Sequence, residues 1–94
     1  MLHIDDSEPG RIRLAGRFDA SQEHKARQVF RRVGGSCTVS FEQLDYISSA
    51  GLSVLLDTQR RLGREGHALQ LVGMRPPIRN VFAIAGFDAV FEIE

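Results

Sequence analysis

The sequence contains one cysteine, no tryptophan, one tyrosine and no surplus of charge of either sign. Because Cys37 is the only cysteine, no internal disulfide is possible, and no second cysteine stands at zinc-ligand spacing. The 12 basic and 12 acidic side chains cancel, whereas proteins that bind nucleic acid usually carry a clear cationic surplus. We therefore expect no direct contact with nucleic acid, and we expect Cys37 to be a small core residue.

A long hydrophobic run is missing as well. No stretch approaches the ~20 apolar residues that a membrane-spanning helix needs, and residues 1–6 do not have the pattern of a signal peptide. We therefore expect a cytoplasmic protein without membrane insertion. The 94 residues, 43% hydrophobic and 26% charged, suit a single domain over residues 1–94.

The patterns typical of an enzyme are not found. His3, His24 and His67 stand alone, none with a partner at metal-ligand spacing. The glycines do not form a phosphate-binding loop, and no set of base, nucleophile and oxyanion donor can be assembled. We expect a non-enzymatic protein with no metal and no cofactor.

The periodicity of apolar residues does predict an order of elements. Alternation predicts strands, and recurrence every three to four residues predicts helices. The predicted strands cover residues 1–6, 11–18, about 37–41, 68–73 and 90–93. The first predicted helix begins after Asp19 or Ser21 and stops at Gly34 and Gly35. The second runs from about Ala50 to Arg64, and the third runs from Pro76 to Gly86. The order β-β-α-β-α-β-α-β predicts an α/β domain whose mostly parallel sheet starts with a hairpin.

Residues 44–56 are the most informative part of the chain, because two serines lie where an extended run gives way to a helix. Ser48 and Ser49 therefore stand at or just before a helix N-terminus, where free N–H groups and the helix dipole favour an anionic group. A serine in that position can be a helix cap, or its hydroxyl can accept a phosphoryl group. The residues alone leave both interpretations open.

Several segments, taken in order, resemble a known family. They are residues 14–20, 44–52, 55–56, 66–73 and 77–87. With this order and spacing the chain resembles the STAS domain, the fold of bacterial anti-sigma-factor antagonists. The resemblance covers nearly the whole chain.

The resemblance implies a partner-switching protein. Such an antagonist binds an anti-sigma factor that is a serine kinase of the GHKL type, phosphorylation by that kinase breaks the complex, and a serine phosphatase resets the system. The family's motif places the phosphoacceptor at Ser49, with Ser48 as the alternate. The implied partner-binding residues are Asp19, Ser48, Ser49, Ala50, Gly51 and Leu52. The chain departs from the family at Ser40 and Ser48, where an acidic or, in the third strand, an amide residue is frequent.

The same resemblance leaves two other functions open. STAS domains also serve as docking subunits of ABC-type lipid transport assemblies, where they bind the ATPase. A structural adaptor in a signalling complex is the third interpretation, and in both of these Ser49 is only a helix cap.

Overall fold

The computed structural model describes all 94 residues, which form five strands and three α-helices. The strands are β1 (Leu2–Asp5), β2 (Arg11–Phe18), β3 (Cys37–Ile47), β4 (Leu69–Val72) and β5 (Glu92–Ile93), and the helices are α1 (Glu23–Phe30), α2 (Ser49–Gly63) and α3 (Pro76–Ile84). Two 3₁₀ turns, Ala20–Gln22 and Phe87–Ala89, precede α1 and β5.

The sheet has the strand order β1-β2-β3-β4-β5. Strands β1 and β2 pair antiparallel, and every other neighbouring pair is parallel. This topology confirms the predicted α/β class with its opening hairpin. It also brings the loops that follow β2, β3 and β4 to one edge of the sheet, because parallel strands end on the same side.

The third strand is six residues longer than predicted, and the predicted end at Phe41 is wrong. The register between β2 and β3 shifts twice, between Arg13 and Ala15 and between Gly16 and Arg17. At each shift β3 carries one more residue than β2, as in a β-bulge. The two extra residues break the alternation of apolar and polar side chains, so the periodicity indicated a strand that ended too early.

All three helices pack on one face of the sheet. Alternate strand residues on this face, such as Leu14, Val39 and Leu71, are fully buried among helix side chains. Phe82 of α3 meets Phe41 of β3 edge-to-face, with ring centroids 5.8 Å apart. The opposite face carries polar residues and has no helix over it. Cys37 lies in the core as predicted, and burial raises the pKa of its thiol.

The outer edge of β1 is covered at Leu2 by side chains from α1 and the turn before it. Leu2 N donates to Gln22 Oε1 at 3.2 Å, and Lys25 Nζ donates to Leu2 O. These side chains occupy main-chain groups that a strand edge would otherwise leave unpaired. At the other edge, β5 is only two residues long.

Candidate functional site

The loops that follow β2 and β3 meet at the carboxyl edge of the sheet. Phe18 and Ile47 are register partners at the ends of the two strands. One residue further on, Ser48 N donates to Phe18 O at 2.9 Å. Because Asp19 directly follows Phe18 and Ser49 directly follows Ser48, this bond joins the two loops that carry the partner-binding residues implied by the family resemblance.

The two serines of the second loop have different roles. Ser48 is the N-cap of α2, with extended backbone angles, and its Oγ accepts from Gly51 N at 3.4 Å. Ser49 is the first helical residue, and its side chain is exposed. The idea that Ser49 is the helix cap is therefore wrong, and the Ser49 hydroxyl is open to solvent.

At Gly51 the first turn of α2 packs closely against the ends of β2 and β3. A Cβ atom at this glycine would lie 2.7 Å from Ile47 Cγ1 and 3.0 Å from Phe18 Cγ, closer than side chains pack. Only glycine lets the first turn approach so closely. Leu52 beside it is 9% exposed and belongs to the core, so it supports the surface from beneath, while Ala50 is half-buried.

Asp19 supplies an acidic group to the same edge. It caps the 3₁₀ turn before α1, and its Oδ1 accepts from Ser21 N at 3.1 Å and from Ser21 Oγ. The hydrogen bond from the Ser21 hydroxyl is the main reason that the pKa of Asp19 is lowered, and the chain's terminal ammonium and Arg17 act in the same direction. The carboxylate is thus held ionised beside the Ser48–Ser49 loop.

Two arginines at this edge were not indicated by the sequence. The guanidinium of Arg17 lies 4.3 Å above the ring of Tyr46, a cation–π contact. Arg75, just before α3, donates to Glu42 O through Nη2 at 2.9 Å and Nε at 3.1 Å, and to Asp45 Oδ1 at 3.1 Å. These contacts join residues more than 25 positions apart, so no local pattern could have revealed them.

The position of Ser40 separates it from this edge. It lies in the first half of β3, eight residues before Ser48, which corresponds to roughly 25 Å along an extended strand. Asp45, a second acid considered near Ser49, is paired with Arg75 at 3.1 Å. Asp19 is therefore the acidic side chain whose loop directly contacts the Ser48–Ser49 loop.

Two properties of the whole structure concern metal binding and membrane insertion. No group of three or more histidine, cysteine, aspartate or glutamate side chains lies close enough together to hold a metal ion. None of the helices combines the length and the apolarity needed to cross a bilayer.

Comparison with known sequences identifies relatives across most of the chain. A family model described as "Mlab, STAS domain" matches residues 4–92. A STAS-domain containing protein of Pseudomonas aeruginosa is 28% identical over 85 residues, which cover 87% of this chain and 84% of that protein. The putative anti-sigma factor antagonist BtrV of Bordetella bronchiseptica is 43% identical over 51 residues, 54% of this chain and 44% of BtrV.

Solved structures share the fold. The anti-sigma factor antagonist SpoIIAA in its unphosphorylated form matches with a TM-score of 0.77 and 18% identity, over 100% of this chain and 88% of that one. The Bacillus cell fate determinant SpoIIAA in the phosphorylated form matches with a TM-score of 0.71 and 17% identity, over 100% and 91%. At these identities the likeness establishes the fold alone.

Proposed function

The chain belongs to the STAS-domain family, and from that premise we propose that it is a cytoplasmic, non-enzymatic anti-sigma-factor antagonist. In its unphosphorylated form it binds an anti-sigma factor that is a serine kinase of the GHKL type. The kinase phosphorylates Ser49 and the complex dissociates. A serine phosphatase then removes the phosphate and restores binding.

The observation that carries this proposal is the division of roles between the two serines. Ser48 Oγ is engaged as the cap of α2, while Ser49 is exposed at the first helical position. A phosphate on Ser49 leaves the cap in place, so the fold persists in both states. A phosphate on Ser48, the alternate acceptor, would require the cap to be broken. The geometry thus favours Ser49.

The proposed switch is electrostatic. The first N–H groups of α2 have no acceptor within the helix. The helix start therefore tolerates the negative charge of roughly −1.5 to −2 that a phosphate adds. A partner surface packed on Ser49 and Ala50 does not tolerate that charge and bulk. The ionised Asp19 beside these residues adds to the negative charge that repels the partner. A loss of about 3 kcal/mol weakens binding more than a hundredfold.

The descriptions of similar proteins, and the two solved forms of one of them, support the proposal. BtrV is described as a putative anti-sigma factor antagonist. For SpoIIAA, an antagonist by description, both unphosphorylated and phosphorylated forms are solved and both share this fold. A molecule with this architecture can therefore exist folded in two phosphorylation states.

The test is affinity purification of the tagged protein from its own cells, with mass spectrometry of the bound proteins and of the serine-bearing peptide. Trypsin releases residues 33–60 as one peptide, because no lysine or arginine lies between Arg32 and Arg60. We expect a GHKL-type kinase in the purified complex and a phosphorylated fraction localised to Ser49 by fragmentation. A kinase-free complex with no phosphate at either serine would contradict the proposal.

Variants make the same test quantitative. Ser49→Asp is expected to weaken kinase binding about a hundredfold or more, and Ser49→Ala is expected to bind constitutively. Ser36→Asp is the matched control, because it adds the same charge at an exposed serine before β3, at the opposite end of the sheet. Equal binding by Ser49→Asp and Ser36→Asp would show that the switch is not at Ser49.

A docking subunit of an ABC-type lipid transport assembly is the second candidate. The observation that favours it is that capping by Ser48 accounts for a serine at the start of α2 without any phosphorylation. In that case the purified partner is an ABC ATPase and the peptide over residues 33–60 is unmodified.

A further inference from the structure

Arg17 and Tyr46 form a pair at the ends of β2 and β3, on the sheet face that no helix covers. They are register partners, and the Arg17 guanidinium stacks 4.3 Å above the Tyr46 ring. The next partners in the register are Phe18 and Ile47, whose side chains are buried in the core. Since successive side chains of a strand point to opposite faces, the Arg17–Tyr46 pair lies on the open face, just before the loop that carries Ser49.

Tyr46 is the one exposed aromatic side chain of the protein. The six phenylalanines are buried or half-buried, whereas Tyr46 is 39% exposed. Tyrosine and arginine are among the residues that contribute most to the binding energy of protein interfaces. An aromatic ring that the fold leaves exposed, with an arginine stacked on it, therefore offers a contact suited to a protein partner.

The guanidinium of Arg17 keeps its hydrogen-bond donors free. Arg17 takes part in none of the five ion pairs of the protein. Asp19, two residues further on, is held instead by Ser21 N and Ser21 Oγ. Stacking on the Tyr46 ring fixes the plane of the guanidinium and leaves its N–H groups at the rim, where the planar fork matches a carboxylate. The pair is thus arranged for a partner that presents an acidic side chain.

The pair lies within the area that a partner bound at Ser49 covers. Tyr46 precedes Ser49 by three residues, so their two Cα atoms are at most about 11 Å apart. A stable interface buries about 800 Å² on each partner, an area with a radius of about 16 Å. On the other side of Ser49, the outer face of α2 has no exposed aromatic or large apolar residue. Its exposed residues after Ser49 are Ser53, Asp57, Arg60 and Gly63.

We propose that the surface that binds the anti-sigma factor continues from Ser49 over the end of the sheet onto its open face, with Tyr46 as the aromatic contact and Arg17 as the group that receives a carboxylate of the partner. This inference rests on the proposed function and adds the chemistry of the partner to it. The partner presents an acidic side chain beside an apolar surface, and it contacts both sides of the sheet edge.

The test is photo-crosslinking in the protein's own cells with p-benzoylphenylalanine in place of Tyr46, Ser53 or Ser36, one position at a time. Ser53 is exposed one turn after Ser49, and Ser36 is exposed at the opposite end of the sheet. We expect the Tyr46 and Ser53 positions to capture the same GHKL-type kinase and the Ser36 position to capture none. Capture at Ser53 without capture at Tyr46 would overturn this inference and leave the proposed function standing. If no position captures a kinase, the proposed function fails, and this inference fails with it.

Variants measure the two contacts with the captured kinase, purified and titrated calorimetrically. Arg17→Gln is expected to weaken binding about tenfold, and Arg17→Lys nearly as much, because lysine keeps the charge but lacks the fork. Tyr46→Ala is expected to weaken binding about tenfold, whereas Tyr46→Phe keeps the ring and most of the affinity. Urea denaturation of each variant separates lost binding from lost folding.

Arg13→Gln is the comparison variant for Arg17→Gln. Arg13 is an exposed arginine on the same strand and the same face, because side chains four residues apart on a strand point the same way. It lies roughly 13 Å further from the edge, so its loss is expected to leave the affinity unchanged. Equal affinities of the Arg13 and Arg17 variants would overturn the proposal.

Discussion

Three helices begin at the same edge of the sheet, and two of them, α2 and α3, begin in opposite ways. The residue before each is extended, Ser48 for α2 and Arg75 for α3. Ser48 caps α2 with its own side chain, whereas Arg75 makes no cap bond and is followed by Pro76 and Pro77 at the first helical positions. Proline fixes a helical φ but has no N–H group.

The difference decides which helix start can receive an anionic group. The first turn of α2 presents N–H donors and an exposed hydroxyl, while the prolines remove donors from the first turn of α3. Arg75, the residue before α3, does not cap the helix, and its guanidinium donates hydrogen bonds to Glu42 O and Asp45 Oδ1. Of these two helix starts, the one suited to negative charge is therefore the start of α2, which carries Ser49.

The largest expected effect tests the close packing of the α2 start. Gly51→Val is expected to lower the free energy of unfolding by about 2–3 kcal/mol, because the new side chain meets Ile47 and Phe18 in a packed core. Gly63→Val is the matched control at the other end of α2, where a Cβ meets nothing within 4 Å. Urea denaturation measures both. Equal stabilities of the two variants would show that α2 can move away from the strands.

The next effect separates the two serines. Ser48→Ala is expected to lower the free energy of unfolding by about 1 kcal/mol through loss of the cap, and Ser49→Ala is expected to leave it nearly unchanged. The measurement is urea denaturation of the two variants side by side. If Ser49→Ala is the more destabilising variant, Ser49 is the cap and the division of roles is reversed.

The smallest effect concerns the α3 start. Arg75→Ala is expected to destabilise by about 1 kcal/mol or less, because its ion pair with Asp45 is exposed and its carbonyl contacts are individually modest. Hydrogen exchange of the α3 amides detects such a local change. Arg79→Ala, exposed on α3, is the control. Equal exchange rates in both variants would mean that Arg75 does not hold the helix start.

Local patterns in the sequence predicted much of this fold. Strand β2 was predicted with its observed bounds, Arg11–Phe18, from a partial alternation bounded by a turn sequence. Helix α2 was predicted within one residue at each end from the helical spacing of its leucines. The first helix ends at Phe30, before the predicted stop at Gly34 and Gly35, because residues 31–33 form a turn. The last strand is shorter than predicted because a 3₁₀ turn precedes it.

The candidate site was predictable in part. The serine pair and Asp19 stood out because capping residues follow predicted strands. What could not be predicted was the arrangement across the chain: the bond from Ser48 to Phe18, the packing of Gly51, and the bonds from Arg75 to β3. Each depends on the register of parallel strands, which the bulges in β3 alter.

The cover that Gln22 and Lys25 form over β1 has a consequence for how molecules of this protein meet. An uncovered strand edge is a template on which a second molecule can add its own strand, a common start of aggregation. Because the N–H and C=O groups of Leu2 are occupied and β5 is only two residues long, each edge of the sheet offers little length on which a second copy could pair.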